Sequence, residues 1–241
     1  YQPGSHYMIS ADVARGDGKD CSVFHIFDTV NMEIVAEYQG KTTPDIFSQI
    51  LCDTGKEYGN CMIVVENNSV GFAVLEKLKD NDYLNIYYSI KSTHEYIDQI
   101  QAEHASNAVA GFTTSSKTRP LIIAKLEEFV RNKLIKINSG RLYNEMKTFI
   151  WNNGKPEAMR SYNDDLIMAC AIGCWVRDTA LVEDKRSVEY NKAFLDSLFR
   201  SETKINTRIK GMIGYDKNST LEQKRTKAIQ QSEKFSWLYK G

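Results

Sequence analysis

The chain has 241 residues, of which 42% are hydrophobic and 26% charged, and its formal net charge is zero. That length is enough for one domain with an ordinary core and an appendage. No stretch approaches 18 consecutive apolar residues, which excludes the pattern of a membrane-spanning helix. The N-terminal residues lack the pattern of a signal peptide, and because no initiator methionine is present we expect them to be a cut from a longer chain. The five cysteines have no CxxC spacing, which disfavours a zinc site or a disulfide framework.

Charge is distributed unevenly along the chain. Residues 201–241 hold nine Lys or Arg and four Asp or Glu, so this segment carries a net +5 and the remainder carries −5. An acidic body with a basic tail is compatible with a metal-dependent enzyme that acts on DNA, although it does not require one. The composition predicts one domain over 1–180. It also predicts a partly ordered basic tail over 181–241 with one amphipathic helix near 190–199.

The first 90 residues predict an antiparallel meander that continues into alternating helices and strands. A Thr-Pro-Asp start favours the first helix, and the nearly continuous apolar run at 61–66 favours a central strand buried on both faces. The predicted elements are strands over 7–12, 21–27 and 33–39, a helix from Pro44, a strand over 61–66, a helix over 70–78 and a strand over 85–90.

The second half is predicted to be irregular at first and then mainly helical. Asn153-Gly154 is a hairpin turn signal, and Asn163 can cap the last helix. The predicted elements are an irregular stretch over 91–118, helices over 119–132 and 139–146, a short strand over 134–137, hairpin strands over 148–151 and 158–162, and a buried helix over 166–176.

Acidic residues stand at the ends of apolar elements in three places, where a carboxylate does little to stabilise the fold. Asp12 ends the first predicted strand, Glu66 ends the central apolar strand, and the pair Asp164-Asp165 opens the last helix. Each position has an ordinary interpretation. Asp12 can begin a turn, a Glu can close a strand, and the Asp pair can complement a helix dipole. Together, in this order, they indicate a site for divalent metal.

Strand geometry and metal chemistry support that interpretation. If the strands that end at Asp12 and Glu66 are parallel neighbours, their carboxylates lie at one sheet edge, roughly 4.8 Å apart. Mg²⁺ and Mn²⁺ prefer oxygen ligands, and two ions roughly 3.5–4 Å apart can activate water and neutralise the leaving oxygen of a phosphodiester. Without metal these carboxylates repel one another, so we expect the metal-free site to be strained.

Four strings carry a resemblance to a known family. They are SADVARGDGKDCSVFHIFD, VVENNSVG, TTSSKTRPLI and YNDDLIMACAIG, in this order. The region over 5–178 resembles the nuclease domain of the large terminase subunit of T-even-type tailed bacteriophages, in the RNase H-like superfamily. The resemblance implies an α/β, retroviral integrase-like fold, with a central mixed sheet of five or more strands and helices on both faces.

The resemblance also implies an activity and a set of site residues. It implies an endonuclease that cuts concatemeric viral double-stranded DNA during headful packaging, with two Mg²⁺ or Mn²⁺ ions held by Asp12, Glu66 and Asp165. Asp164 and Asp20 are secondary candidates. One departure is that Asn163 stands where the family commonly has His before the Asp pair.

Several partners follow from the same resemblance. They are an N-terminal packaging ATPase domain, the portal and the small terminase subunit, and they imply action in the host cytoplasm at the procapsid portal. The ATPase motor is outside this sequence, so we expect no ATP hydrolysis from it.

The loop before the helix predicted at 119–132 is a candidate DNA contact. Residues 111–118 almost match G-x-x-x-x-G-K-[ST], but Ser116 replaces the second glycine, which disfavours a P-loop. Lys117 and Arg119 could instead contact phosphates, and a solvated helix start remains an equal alternative. A basic flank could add salt-sensitive duplex binding, although an exposed helix carries similar charges. Its members are Lys117, Arg119, Lys125, Arg131, Lys133 and Lys136.

Three other functions remain open from the sequence. Another RNase H-like DNA nuclease, such as a resolvase or a transposase-like protein, would favour branched DNA. A non-catalytic module that docks a packaging motor on the portal would not need its acids. A half of an actin-like kinase also begins with Asp before a Gly-rich turn, but such proteins have a second duplicated domain for which this chain is too short.

Overall fold

The computed structural model describes residues 1–2, 5–18, 20–90, 96–97 and 99–179. All of them belong to the first of two units into which the chain divides, Tyr1–Arg186. The tail predicted over 181–241, with its amphipathic helix, lies outside the described residues, so that part of the prediction stays a prediction. No helix within the described ranges has the length and apolar character that crossing a bilayer requires.

Strands and helices alternate as an α/β protein requires. The strands are β1 Tyr7–Asp12, β2 Ser22–Asp28, β3 Glu33–Gly40, β4 Met62–Val65, β5 Tyr88–Ile90, β6 Tyr96–Ile97, β7 Ala108–Ala110, β8 Phe149–Asn152 and β9 Lys155–Ala158. The helices are α1 Pro44–Glu57, α2 Val70–Asp80, α3 Gln99–His104, α4 Thr118–Arg131, α5 Gly140–Lys147 and a last helix, α6, over 165–179.

The central sheet is mixed and has the strand order β3-β2-β1-β4. β1 pairs antiparallel with β2 and parallel with β4, which confirms the predicted meander and the predicted parallel neighbour. In the parallel pair Ser10 lies opposite Val64 and Ala11 opposite Val65. The next residues along the two strands are Asp12 and Glu66, so this register brings both acids to one edge of the sheet.

A central sheet of five or more strands is not confirmed. The predicted strand over 85–90 appears as β5, which belongs to a separate sheet with the order β6-β5-β7. Beyond β4 the chain makes only isolated parallel bridges, from Ile63 to Ile86 and from Glu66 to Phe112. β4 has four residues, and on the side away from β1 the described segments meet this part of the chain at single positions rather than along a ladder.

Two stretches differ from the sequence-based expectation. The region predicted to be irregular at 91–118 contains β6, α3 and β7, which are too short for a periodic pattern. The two strands among them, β6 and β7, both pair with β5. The strand predicted over 134–137 is only an isolated bridge between Lys136 and Glu33. The hairpin of β8 and β9 forms around Asn153-Gly154 as predicted, but its second strand covers Lys155–Ala158 rather than 158–162.

Helices cover both faces of the central sheet, as predicted. Alternate β1 residues enter different cores: Met8 packs in a cluster with α4 and α6, whereas Ile9 packs in a cluster with α1 and α2. Each large aliphatic side chain buried in these clusters contributes roughly 1.5–3 kcal/mol of transfer free energy. Val64 of β4 faces the same cluster as Met8. Because side chains alternate along a strand, Asp12 and Glu66 belong to the face that α6 covers.

α6 is attached to this face by polar contacts as well as by apolar packing. The buried Ser10 hydroxyl donates to the carbonyl oxygen of Ala169 at 2.7 Å. Nε2 of the buried His25 lies 3.0 Å from the carbonyl oxygen of Leu166. These contacts start from β1 and β2 and reach the first and second turns of α6, so they fix the position of its N-terminus against the sheet.

Gly71 permits a close approach beside the candidate site. A Cβ atom at this position, in the first turn of α2, would stand 1.7 Å from the carbonyl oxygen of Glu66. Only a residue without a side chain allows α2 to begin so soon after β4. By contrast, a Cβ atom at Gly140, at the start of α5, would meet no other heavy atom within 4 Å.

We expect Gly71→Ala to lower the free energy of unfolding by roughly 1–3 kcal/mol, because inserted atoms in a packed region force the backbone to shift. Urea unfolding measures the change, and Gly140→Ala is the matched control. Alanine favours helices over glycine by roughly 1 kcal/mol, so the control should be neutral or stabilising. Equal effects of the two substitutions would contradict this account of Gly71.

Candidate metal centre

Asp12 and Glu66 meet where β1 and β4 end. The Glu66 backbone N–H donates to the carbonyl oxygen of Ala11 at 2.9 Å, which carries the parallel pairing one residue beyond β4. The two carboxyl groups are close enough to interact. The Asn68 side-chain amide donates to Oε1 of Glu66 at 2.8 Å.

The electrostatics of Asp12 follow from this arrangement. Burial raises the pKa of Asp12 well above its usual range, and the neighbouring carboxyl groups of Glu66 and Asp165 add to the shift. Neighbouring carboxylates resist simultaneous ionisation in a region of low dielectric constant. A divalent cation would relieve this repulsion and favour the ionised form of Asp12, as metal binding to acidic ligands generally does.

Asp165 supplies the third acid from the first turn of α6. Its side chain is buried, with a relative exposure of 9% for the residue. Oδ2 accepts the backbone N–H of Cys21 at 2.9 Å and an Nδ2 hydrogen of Asn163 at 3.3 Å. Burial raises the pKa of Asp165, and the charge of the exposed Asp20 contributes to that shift. The fold therefore assembles Asp12, Glu66 and Asp165 from three distant segments, with Asp20 nearby.

Asp164 is engaged with a different neighbour. Its Oδ2 forms an ion pair with the Arg119 guanidinium, and Arg119 Nε also donates to the carbonyl oxygen of Pro156 at 3.0 Å. Arg119 thus joins α4, β9 and the start of α6. Asp164 would have to exchange this cation for a metal ion in order to act as a ligand, whereas Asp165 has no such competitor in its described contacts.

The predicted DNA-contact loop is internally ordered. Thr118 Oγ1 accepts the N–H of Ser115 at 2.7 Å and donates to the carbonyl oxygen of Thr113 at 3.1 Å. Lys117 is exposed at the start of α4, whereas Arg119 is partly buried in its contacts with Asp164 and Pro156. Three further members of the predicted basic flank are also in ion pairs: Lys125 with Glu128 and Asp178, Arg131 with Glu127, and Lys136 with Glu33.

Glu145 is a site residue that the sequence analysis missed. Its Oε2 accepts the backbone N–H groups of Leu166 at 3.0 Å and Ile167 at 3.2 Å, so it caps α6 from the neighbouring helix α5. Asn163 was the predicted cap, and that stays a prediction: the hydrogen bond described for its side chain runs from Nδ2 to Asp165. A signal was available in the sequence: Glu145 stands three residues after Leu142, on the apolar side of α5. Burial raises the pKa of Glu145 to about 7, and the charges of Asp165 and Asp164 contribute.

The donor set fits a hard divalent cation. All its candidate ligands are carboxylate oxygens, which suit Mg²⁺ and Mn²⁺. Across the ranges that the structure describes, no three His, Cys, Asp or Glu side chains are yet arranged closely enough to hold an ion. Coordination by Asp12, Glu66 and Asp165 together would therefore require their side chains to move closer to one another.

We expect the stability of the metal-free chain to fall as pH rises through the raised pKa of Asp12. The folded state keeps the Asp12 proton at pH values where the unfolded chain has lost it, so the folded state is favoured at low pH and loses this advantage at higher pH. Asp12→Asn removes the titrating group and should flatten the dependence at pH values above the usual pKa range of an aspartate. Urea unfolding with EDTA measures both proteins.

Three other groups with shifted pKa values are common to both proteins. The raised pKa values of Glu145 and Asp165 act in the same direction as that of Asp12, whereas burial lowers the pKa of His25, which makes stability rise with pH. The difference between the two proteins therefore reports the contribution of Asp12. An unchanged or steeper slope in Asp12→Asn would contradict a raised pKa for this group.

No protein-family model matches the chain. Among solved structures, the fold is similar to the large terminase nuclease from thermophilic phage G20c with bound magnesium. The TM-score is 0.56 and the sequence identity 19%, over 72% of this chain and 82% of that one. The same nuclease with bound cobalt gives a TM-score of 0.54 at 19% identity, over the same shares of the two chains.

A second phage gives the same result. The large terminase nuclease domain of Thermus phage P74-26 matches with a TM-score of 0.51 and 20% identity, over 71% of this chain and 79% of that one. At such identities the likeness concerns the fold. The chain therefore has the fold of a large terminase nuclease domain, the domain that its four sequence strings resemble.

Proposed function

We propose that the chain is a metal-dependent endonuclease that cuts concatemeric viral double-stranded DNA during headful genome packaging. The observation that carries the proposal is the meeting of Asp12, Glu66 and Asp165, which lie far apart in sequence, on a fold similar to terminase nucleases. Burial and neighbouring carboxylates raise the pKa values of Asp12 and Asp165, and acids in such surroundings are poorly suited to a purely structural role. The same fold also supports placing the chain among RNase H-like proteins.

The proposed cofactor is a pair of Mg²⁺ or Mn²⁺ ions. Asp12, Glu66 and Asp165 would hold them, with Asp20 and Asp164 as secondary candidates. Such ions, when bound, supply charge neutralisation at the phosphodiester and a lowered pKa for water. The magnesium and cobalt bound to the similar phage nuclease support a divalent cation.

Backbone and side-chain groups of the protein would orient the acids that are proposed to bind metal. The Cys21 N–H and the Asn163 amide hold one oxygen of Asp165, which leaves the other available to a cation. The carbonyl oxygen of Ala11 and the Phe112 backbone keep Glu66 in line with β1. Of the two proposed phosphate contacts, Lys117 is the better placed, because it is exposed at the start of α4. The Arg119 guanidinium already forms an ion pair with Asp164.

The proposed setting is that of a packaging motor. The partners would be viral duplex DNA, a packaging ATPase domain N-terminal to this region, the portal and the small terminase subunit, in the host cytoplasm at the procapsid portal. A nuclease in such a motor must not cut during translocation. We therefore propose that this region alone binds DNA weakly and cuts with little sequence preference. A strongly sequence-specific footprint would contradict that.

The central test is cleavage of supercoiled plasmid with Mg²⁺, Mn²⁺ or EDTA. We expect metal-dependent nicking and linearisation, reduced by at least about 100-fold in Asp12→Asn, Glu66→Gln and Asp165→Asn, since even the outer partners of metal ligands contribute 10–100-fold. Asp53→Asn, at an exposed position on α1, is the matched control and should cut normally.

Assays with branched DNA and with nucleotide, run on the same set of proteins, separate the alternative functions. Preference for branched junctions over linear duplex would favour a resolvase-like or transposase-like enzyme. Full activity of every acid variant in all assays would favour a docking module that merely keeps the fold. Binding of nucleotide would revive the kinase-like alternative.

The two members of the Asp pair should differ. We expect Asp164→Asn to reduce cleavage by about 10-fold, the lower end of the range for a residue that supports a ligand, because its carboxylate pairs with Arg119. Asp165→Asn should be at least about ten times more damaging, because this carboxylate faces the Asp12–Glu66 pair. The measurement is the single-turnover cutting rate at saturating Mn²⁺. Equal losses would assign both residues to the metal.

A further inference from the structure

The first turn of α6 is capped in an unusual way. The carbonyl oxygen of Asp164 accepts the N–H of Met168 at 2.9 Å, which makes Asp164 the residue that precedes the helix. An Asp at that position ordinarily turns its side chain onto the free N–H groups of the first turn. Here the Asp164 side chain pairs with Arg119, so it is committed elsewhere.

Glu145, which lies on the neighbouring helix α5, caps these N–H groups instead. One oxygen, Oε2, accepts the N–H groups of both Leu166 and Ile167, which have no main-chain acceptor within α6 because they lie in its first turn. A carboxylate at this end also complements the positive end of the helix dipole. The neighbouring acids Asp164 and Asp165 occupy the same end, so α6 begins among three carboxylates.

The helix that carries Glu145 is itself firmly placed. The Ser139 hydroxyl caps α5 by accepting the N–H of Leu142 at 3.0 Å, and the Leu142 side chain is fully buried. Arg141 Nε donates to Oε1 of Glu37, in β3, at 2.7 Å. These contacts hold α5 against the sheet. The hydrogen bonds from Leu166 and Ile167 to Glu145 then hold the first turn of α6 in a fixed position relative to α5.

We propose that Glu145 is a positioning residue for the third acid: by capping α6 it sets where Asp165 stands relative to Asp12 and Glu66. The capping role stands on the geometry alone, whereas its consequence for metal rests on the proposed function. Glu145 makes two hydrogen bonds through Oε2 and needs only an acceptor oxygen for them. A glutamine keeps that oxygen but loses the charge. Glu145→Gln should therefore preserve the cap, whereas it would weaken metal binding if Glu145 were a metal ligand.

Hydrogen exchange tests the cap in the complete, metal-free chain. In Glu145→Ala the Leu166 and Ile167 amides should exchange at least about fivefold faster, the factor that corresponds to losing a cap of about 1 kcal/mol. Glu145→Gln should stay close to the unchanged protein. Glu127→Ala, at an exposed glutamate on α4, is the matched control and should leave both amides unaffected. If Glu145→Ala does not fold, Glu145→Met takes its place in the experiment. Methionine has a side chain of similar volume but lacks the carboxylate oxygen that accepts the two N–H groups.

Calorimetric titration with Mn²⁺ tests the consequence for metal. We expect Glu145→Ala to weaken Mn²⁺ binding by about 10-fold, as loss of a supporting group does, with the same number of ions bound. Cutting should recover largely at saturating Mn²⁺, and Glu145→Gln should bind nearly as well as the unchanged chain.

Three results would overturn the proposal. Unchanged exchange in Glu145→Ala or Glu145→Met would exclude the cap. Equal loss of Mn²⁺ affinity in Glu145→Gln and Glu145→Ala would make Glu145 a ligand instead. If the unchanged chain bound no Mn²⁺, the proposed function would fail and the metal consequence with it, while the exchange result would still decide the cap.

Discussion

The parallel pairing of β1 with β4 is the constraint on which the candidate site depends. Its register places the residues that follow Ala11 and Val65 side by side, and both are acids. The alternation of side chains then directs both carboxylates to the sheet face that α6 covers. A shift of one residue in this pairing would send one acid to the opposite face, into the apolar cluster with α1 and α2.

The position of α6 depends on polar groups buried in otherwise apolar surroundings. Ser10 and His25 reach carbonyl oxygens in its first two turns, and Glu145 holds its free N–H groups. Apolar packing alone is tolerant of small rotations and slides, whereas hydrogen bonds fix direction. The helix therefore meets the sheet in one orientation, which is what a site shared among three elements requires.

The sequence predicted the parts of this molecule that have a local signal. Strand alternation in β1 and β2, the Pro44 helix start and the Asn153-Gly154 turn are encoded over a few residues, and the structure has them. The acids at 12, 66 and 165 could be proposed because they interrupt apolar elements. β6 and β7 could not be predicted, because strands of two or three residues exist only through their partners. The cap by Glu145 was missed because its partners lie 21 and 22 residues away on another helix.

The bonds that close the acid cluster have a consequence for how the chain folds. The Cys21 N–H and Asp165 are 144 residues apart, and Ser10 and Ala169 are 159 apart. Contacts of such separation require the intervening chain to lose most of its freedom first, and they form slowly. During synthesis, β1 and β4 emerge from the ribosome long before α6 does. The two strand-borne acids are thus without Asp165 until nearly the whole domain has been made, so the acid cluster is among the last features of the domain that can form.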